Sequence, residues 1–213
     1  MLFSNPTLEE LIGLVVALVI GITFHEFSHA FVANELGDHR VRALGRVSLN
    51  PLRHLDPLGS IFILLAGFGW GRPVPVNIYA LRPGRIGMTF VALAGPIANM
   101  SVAAVVAVVY RAAEMAGLLS GGSFDFVGAV LFWTVLYNVV LALFNLLPIP
   151  PLDGYNVVLP LLPPRYSFAV QRYAQYGILV LLLLVVLSRY GGFSPLSWLF
   201  DAAFWLTRLL LGA

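Results

Sequence analysis

The stretch LEELIGLVVALVIGITFHEFSH, from Leu8 to His29, decides the fold class. Residues 8–24 are nearly all Leu, Ile, Val, Gly and Ala, which is the composition of a membrane-spanning segment. A spanning segment of this kind must be helical, because lipid offers no partners to backbone N–H and C=O groups. The stretch therefore predicts a membrane helix that carries two histidines and a glutamate near one end.

The composition of the whole chain supports this assignment. Of its 213 residues, 60% are hydrophobic and 10% charged, and the mean hydropathy is +0.91. Soluble domains contain about 25% charged residues, so we expect an integral membrane protein in contact with the lipid bilayer. Cysteine is absent, which excludes disulfides and cysteine-based metal sites. The basic residues are all arginines and are dispersed along the chain, so we predict no nucleic-acid partner; the sequence makes no prediction of oligomeric state.

Helical segments are predicted along most of the chain. The first covers residues 8–36, with Thr7 and Glu10 as its N-terminal cap and Gly37 as its end. The others are predicted at residues 58–70, 86–113, 126–147, 155–162, 166–187 and 196–211. Residues 58–70 are too few to span a bilayer and indicate a re-entrant or interfacial helix. Residues 196–211 indicate either a short span or an interfacial helix.

Two extended elements are predicted between the first two long helices. Residues 39–44 and 46–49 flank Gly45 and predict a short β-hairpin, and residues 74–79 predict an edge strand. The fold class is therefore an all-α polytopic membrane protein with about four to six membrane segments, a small β-hairpin and a re-entrant or short helix. We predict a single domain over residues 1–213.

The distribution of arginine predicts the orientation in the membrane. Seven arginines fall within residues 37–85, and Arg165 and Arg172 are expected on the same side two crossings later. Arginine is enriched in cytoplasmic loops, so we place the β-hairpin region in the cytoplasm and the N-terminus outside. His25 would then lie roughly 18 Å along its helix from the cytoplasmic end.

The pentapeptide HEFSH matches the pattern H-E-x-x-H. Positions i and i+4 share one face of a helix, so His25 and His29 can hold one zinc ion, and Glu26 can act as general base toward a water molecule. The alternative is a pair of histidines satisfied by neighbouring side chains. That alternative is weakened by the cost of placing three ionisable groups in a membrane helix, which a bound cation offsets.

A catalytic zinc site needs a third protein ligand. The candidates are His39, His54, Asp56, Glu35 and Asp153. Asp153 is preferred because it follows a proline-broken helix inside an apolar stretch, where a carboxylate is costly unless it is paired or bound to metal. The alternative for Asp153 is an interfacial Asp-Gly turn.

Three motifs together resemble the site-2 proteases, zinc metalloproteases that cut within membranes. They are HEFSH, the sequence GPIAN at 95–99, and the sequence NLLPIPPLDG at 145–154, and they occur in the family's order over nearly the whole chain. The resemblance implies that His25, His29 and Asp153 bind one Zn²⁺ per chain and that Glu26 activates water. It also implies that Asn145 stabilises the oxyanion.

The sequence does not assign a single role to several other residues in or near these motifs. Asn99 could orient a ligand, line a substrate groove or have a structural role, and Gly95 and Pro96 favour close helix packing. Asp56 is predicted to cap the helix that begins near residue 58, while a gating or supporting role for His54 stays open. No PDZ-like or nucleotide-sensing domain is visible in the sequence.

The sequence therefore predicts an intramembrane zinc endopeptidase of a prokaryotic cell membrane, with its active site nearer the cytoplasmic side. Its expected partner is a transmembrane protein or peptide substrate, which the predicted strands would accept by strand addition. A catalytically silent zinc-binding scaffold and a metal transporter are the alternatives. Glu26 argues against the scaffold, and the absence of inverted sequence repeats argues against the transporter.

Overall fold

The computed structural model of the protein describes residues 7–66, 70–119, 123–190 and 194–212, and these are mostly helical. The α-helices in the described ranges are α1 (Leu8–Glu35), α2 (Arg40–Ala43), α3 (Pro57–Ala66), α4 (Arg85–Met115), α5 (Ser123–Asn145), α6 (Asp153–Val158), α7 (Pro164–Tyr173), α8 (Gly177–Tyr190) and α9 (Ser197–Leu211). Short 3₁₀ turns lie at Pro51–Arg53, Ile78–Ala80, Leu159–Leu161 and Ala174–Tyr176.

In the part of the chain that the structure describes, four helical segments are long and apolar enough to cross a membrane, as expected for an integral membrane protein. They are Leu8–Glu35, Arg85–Met115, Phe126–Asn145 and Pro164–Ser188. The last combines α7, a 3₁₀ turn and α8, so the segment predicted at 166–187 is helical but is not one continuous α-helix. The helices α3 and α9 are shorter, with 10 and 15 residues.

The first helix begins and ends as its sequence predicts. The hydroxyl of Thr7 accepts from the N–H of Glu10, and the carboxylate of Glu10 accepts from the N–H of Thr7 at 2.8 Å. At the other end Gly37 has φ +121, and a β-carbon there would lie 2.7 Å from the carbonyl oxygen of Ala80. Only glycine fits this position, so the helix ends there.

Close packing of α1, α4 and α5 forms the centre of the molecule. A β-carbon on Gly21 of α1 would lie 2.7 Å from Oδ1 of Asn138 on α5. A β-carbon on Gly13 would likewise collide with Trp133. Small residues let membrane helices approach closely enough for polar side chains to meet across the interface. The helix α9 completes this centre by burying Ala203 and Leu211 against α4 and α5.

The predicted β-hairpin and edge strand are wrong. Residues 40–43 form α2, and Gly45 with φ +70 turns the chain so that the N–H of Arg46 reaches the carbonyl of Val41. In segment 74–79 the N–H of Val76 donates to Val74, and the N–H of Asn77 donates to a carboxylate oxygen of Asp38 at 2.6 Å. The N–H groups of Val76 and Asn77 are thus used within the chain, and segment 74–79 forms no strand.

A single antiparallel bridge, between Leu55 and Gly71, is all the β-structure in the described residues. The prediction failed because the stretches were too short for their periodicity to distinguish a strand from one helical turn. By contrast, the predicted cap of α3 is present: a carboxylate oxygen of Asp56 accepts from the N–H of Gly59 at 2.8 Å.

Candidate metal centre

The two histidines of the HEFSH motif lie on the buried face of α1. His25 is 8% exposed and His29 is 7% exposed, although both lie on a helix with an exposed side. Their Nε2 atoms are 3.0 Å apart, as expected for residues one helical turn apart with converging rings. The motif therefore presents two nitrogen atoms to one point.

Asp153 reaches the same point from α6. The chain leaves α5 after Asn145, turns through a proline-rich segment and starts α6 at Asp153. Gly154 packs against the backbone carbonyls of the preceding turn, where any side chain would collide with the carbonyl oxygen of Leu146. The hydroxyl of Thr89 on α4 donates to the carbonyl of Val157 at 3.2 Å and ties α6 to α4.

The carboxylate oxygen Oδ2 of Asp153 lies 3.0 Å from Nε2 of His25 and 3.2 Å from Nε2 of His29. The three residues are the one group of histidine and acidic side chains in the described part of the chain that could hold a metal ion. A tetrahedral zinc ion with bonds of about 2.0–2.1 Å would separate its ligand atoms by roughly 3.3 Å. Nε2 of His25, Nε2 of His29 and Oδ2 of Asp153 form a triangle with sides of 3.0, 3.0 and 3.2 Å, which is nearly this size.

The donor chemistry of this triangle also fits a metal ion. His29 Nδ1 lies 2.6 Å from the carbonyl oxygen of Val91, which can only accept, so Nδ1 carries the proton and Nε2 of the neutral ring is a lone pair. Oδ2 of Asp153 is buried and makes no hydrogen bond. Converging lone pairs at contact distance repel one another unless a cation lies between them, so these residues fit a zinc ion.

Residues of α4 surround the two histidine rings. Nδ1 of His25 lies 2.7 Å from Oδ1 of Asn99, which is fully buried. Gly95 packs directly against the rings, and the space beside its α-carbon is too small for a β-carbon. Of the interpretations open for Asn99, the structure places it where it orients a histidine ring.

Glu26 lies beside the triangle with its side chain 12% exposed. Its Oε2 is 3.9 Å from Nη2 of Arg46. The Arg46 guanidinium is itself buried and donates to the backbone carbonyls of Arg53 and Arg72. A cation therefore faces Glu26 from the loop that follows α2, a neighbour that the sequence alone did not identify among the many arginines of this region.

A cavity of about 1140 Å³ contains the triangle and Glu26 at its wall. Much of its remaining surface is apolar and comes from α1, α5, α8 and α9, with Leu14, Trp133, Leu181 and Phe200 among the lining residues. Asn145 also lines this cavity, but its Nδ2 donates to the carbonyl of Leu141 in its own helix at 2.9 Å. Its predicted role toward an oxyanion stays a prediction.

The other candidate third ligands lie elsewhere. His54 is fully buried and its Nε2 donates to the carbonyl of Ser48 at 2.6 Å, and burial lowers its pKa. Asp56 caps α3, while Glu35 and His39 are exposed. None of these four belongs to the triangle formed by His25, His29 and Asp153.

Comparison with known proteins supports the same chemistry. Residues 115–188 match Peptidase family M50. The chain is 42% identical to "Putative zinc metalloprotease YwhC" of Bacillus subtilis over 178 residues, covering 81% of this chain and 80% of that one. It is 35% identical to "Putative zinc metalloprotease Rip2" of Mycobacterium tuberculosis over 195 residues, covering 86% and 71%.

A more distant relative is "Putative zinc metalloprotease MJ0611" of Methanocaldococcus jannaschii, 30% identical over 168 residues and covering 74% of this chain and 75% of that one. No solved structure matches the chain. The identity and coverage of these relatives, together with the site, lead to one conclusion. The chain belongs to peptidase family M50, the site-2 protease family, and is a zinc metalloprotease of the membrane.

Proposed function

We propose that this protein hydrolyses peptide bonds in or near membrane-spanning segments of other membrane proteins, as in regulated intramembrane proteolysis. The observation that carries the proposal is the setting of the triangle: His25, His29 and Asp153 line a large cavity that is walled largely by apolar helices. A cavity of this kind accepts an apolar segment more readily than a polar loop. We treat residues 1–213 as one catalytic domain.

In this proposal His25, His29 and Asp153 hold one zinc ion. When bound, zinc supplies Lewis-acid polarisation of the scissile carbonyl and activation of a water molecule. The carboxylate of Glu26 takes the proton of the attacking water and returns it to the leaving nitrogen. The amide of Asn145 turns from its own helix and donates to the oxyanion.

The orientation follows from the arginines. Six of the twelve arginines lie between α1 and α4, and the positive-inside rule assigns this segment to the cytoplasm. The N-terminus then lies outside, and the site is buried nearer the cytoplasmic surface. A helical substrate shields its own carbonyls, so it must unwind at the site before cleavage.

The test compares wild type with Glu26→Gln in liposomes that contain a transmembrane peptide with a fluorophore and a quencher on opposite sides of its apolar segment. We expect Glu26→Gln to keep its zinc and to lose cleavage by about 10²-fold or more, because an amide cannot take the water's proton. Glu35→Gln, an exposed position on the same helix, is the matched control and should cleave normally.

Mass spectrometry of the products locates the cut. Cleavage within the apolar segment, or within a few residues of it, supports the proposal. Cuts that fall only in the polar tails of the peptide would contradict the proposal, because the protein would then be a membrane-anchored metalloprotease that does not act within the membrane. Wild-type rates in Glu26→Gln would remove Glu26 from the mechanism.

A further inference from the structure

Two fully buried amides connect the metal-facing ring of His25 to helix α5. Asn99 of α4 contacts His25, and Asn138 of α5 contacts Asn99. Both asparagines have 0% exposure. Their contacts cross from α5 through α4 to α1, at the level of the candidate metal centre. An amide has a donor end and an acceptor end, so each contact constrains the next.

The orientation of Asn138 is fixed by its own helix. Its Nδ2 donates to the backbone carbonyl of Thr134 at 3.0 Å. The reverse orientation would place two oxygen atoms 3.0 Å apart with no hydrogen between them, which is repulsive. Oδ1 of Asn138 is therefore the atom that faces Asn99, and it accepts from Nδ2 of Asn99 at 3.1 Å.

Asn99 is oriented in turn by two acceptors. Its Nδ2 lies 3.1 Å from Oδ1 of Asn138 and 3.1 Å from the carbonyl oxygen of Gly21. Both hydrogens of this amide nitrogen are used, so its Oδ1 must face His25. A side-chain carbonyl oxygen can only accept, so Nδ1 of His25 is the protonated nitrogen and Nε2 is left as a lone pair directed at Asp153.

We propose that Asn138 is a positioning residue: acting through Asn99, it selects the ring tautomer of His25 that presents Nε2 to the zinc ion. The inference rests on the proposed zinc-binding role of His25. Removing the Asn138 acceptor leaves one N–H of Asn99 buried and unpaired, so only the carbonyl of Gly21 then opposes rotation of the Asn99 amide. Each such rotation takes the acceptor away from the Nδ1–H of His25.

The first measurement uses wild-type protein labelled with ¹⁵N-histidine and freed of zinc. The signals of His25 are identified by their loss in His25→Gln. We expect the Nδ1 signal of His25 to be that of a protonated ring nitrogen and the Nε2 signal to be that of an unprotonated one. The opposite pattern in the wild type overturns the proposal without recourse to any variant.

The second measurement is zinc affinity by competition with a chelator. Asn138→Leu has nearly the same volume and no acceptor, and we expect its zinc affinity to fall about tenfold, the lower end of the range for residues that orient a ligand. The carboxyl group of Asn138→Asp, kept protonated by burial, donates to the carbonyl of Thr134 and keeps an oxygen facing Asn99, so its zinc affinity should stay within about threefold of wild type. The ring signals of His25 should change in the leucine variant and not in the aspartate variant.

Thr134→Val is the matched control. Its hydroxyl is buried one turn from Asn138 and donates to the carbonyl of Val130, so it has no part in the contacts to Asn99, and its own backbone carbonyl is retained. Zinc affinity should not change. Wild-type affinity and unaltered His25 signals in Asn138→Leu overturn the proposal; if that variant does not fold, the wild-type spectrum decides.

Failure of this inference differs from failure of the proposed function. Full zinc retention in His25→Gln would remove His25 from the metal site, whereas the tautomer of the zinc-free wild type would still be determined by its spectrum. None of these readouts requires a substrate or a cleavage assay.

Discussion

Gly95 of α4 lies so close to His29 of α1 that a β-carbon added to the glycine would sit 2.5 Å from Nε2. The same β-carbon would be 2.7 Å from Nδ1 of His25. Real β-carbons essentially never come this close to another atom. The two rings therefore occupy space that exists because residue 95 has no side chain.

Gly95→Ala should displace both rings. A shift of about 1 Å in a catalytic group can cost about 10²-fold in rate, and we expect a loss of that size together with lower zinc occupancy. Metal analysis and peptide cleavage measure the two effects. Gly128→Ala on α5 is the control, since its β-carbon would meet Leu119 at an ordinary 3.7 Å. Normal zinc and cleavage in Gly95→Ala would show that the rings can move without consequence.

Asp153→Ala should lower zinc occupancy strongly, because it leaves two of the three converging ligand atoms. His54→Ala tests the competing ligand on the same preparation and should keep its zinc, since His54 binds the carbonyl of Ser48 instead. Zinc content per chain is the measurement. Retention in Asp153→Ala with loss in His54→Ala would move the third ligand to His54.

Asn145→Ala should keep zinc and slow cleavage by roughly 10²–10³-fold if the amide donates to the oxyanion. Asn156→Ala is the control, because Asn156 lines the same cavity. The rate constant for cleavage at saturating peptide is the quantity to compare. A loss smaller than about tenfold would be too little for an oxyanion donor and would assign Asn145 to helix packing.

Asp38 predicts how stability depends on pH. Burial opposes its ionisation, but hydrogen bonds from Arg40 and from the N–H of Asn77 outweigh burial and lower its pKa. A carboxylate whose pKa is lowered by folding stabilises the protein above its unfolded pKa of about 3.9, and this contribution is lost as the pH falls through the lower folded value.

Acidification below about pH 4 should therefore lower the melting temperature of the wild type more than that of Asp38→Asn. The measurement is thermal unfolding in detergent, followed by intrinsic fluorescence. Asp201→Asn, at an exposed position on α9, should follow the wild-type curve. If the melting temperatures of wild type and Asp38→Asn fall in parallel with pH, the hydrogen bonds from Arg40 and Asn77 do not lower the pKa of Asp38 as described.

The sequence predicted the long helices and the converging residues because both follow from strong local constraints. The four-residue separation of His25 and His29 fixes their common face on any helix. Asp153 was identifiable because a carboxylate in an apolar, proline-broken segment needs a partner. Lengths near 20 apolar residues indicate spans regardless of packing.

The sequence could not predict the surroundings of these residues to the same extent. Arg46 faces Glu26, but nothing local distinguishes it from the other arginines of its loop. Asn138 did carry a signal, since an amide within an apolar span needs a buried partner, and it lies seven residues before Asn145 on nearly the same face of α5. The identity of that partner, Asn99, depends on how α4 and α5 pack.

The attachment of α6 to α4 has a consequence for biosynthesis. His25 and His29 are synthesised about 125 residues before Asp153, and α6 can dock on Thr89 only after α5 has been made. A nascent or truncated chain that ends before α6 therefore holds only two of the three converging ligand atoms. The triangle of ligand atoms therefore closes only after translation has passed Asp153.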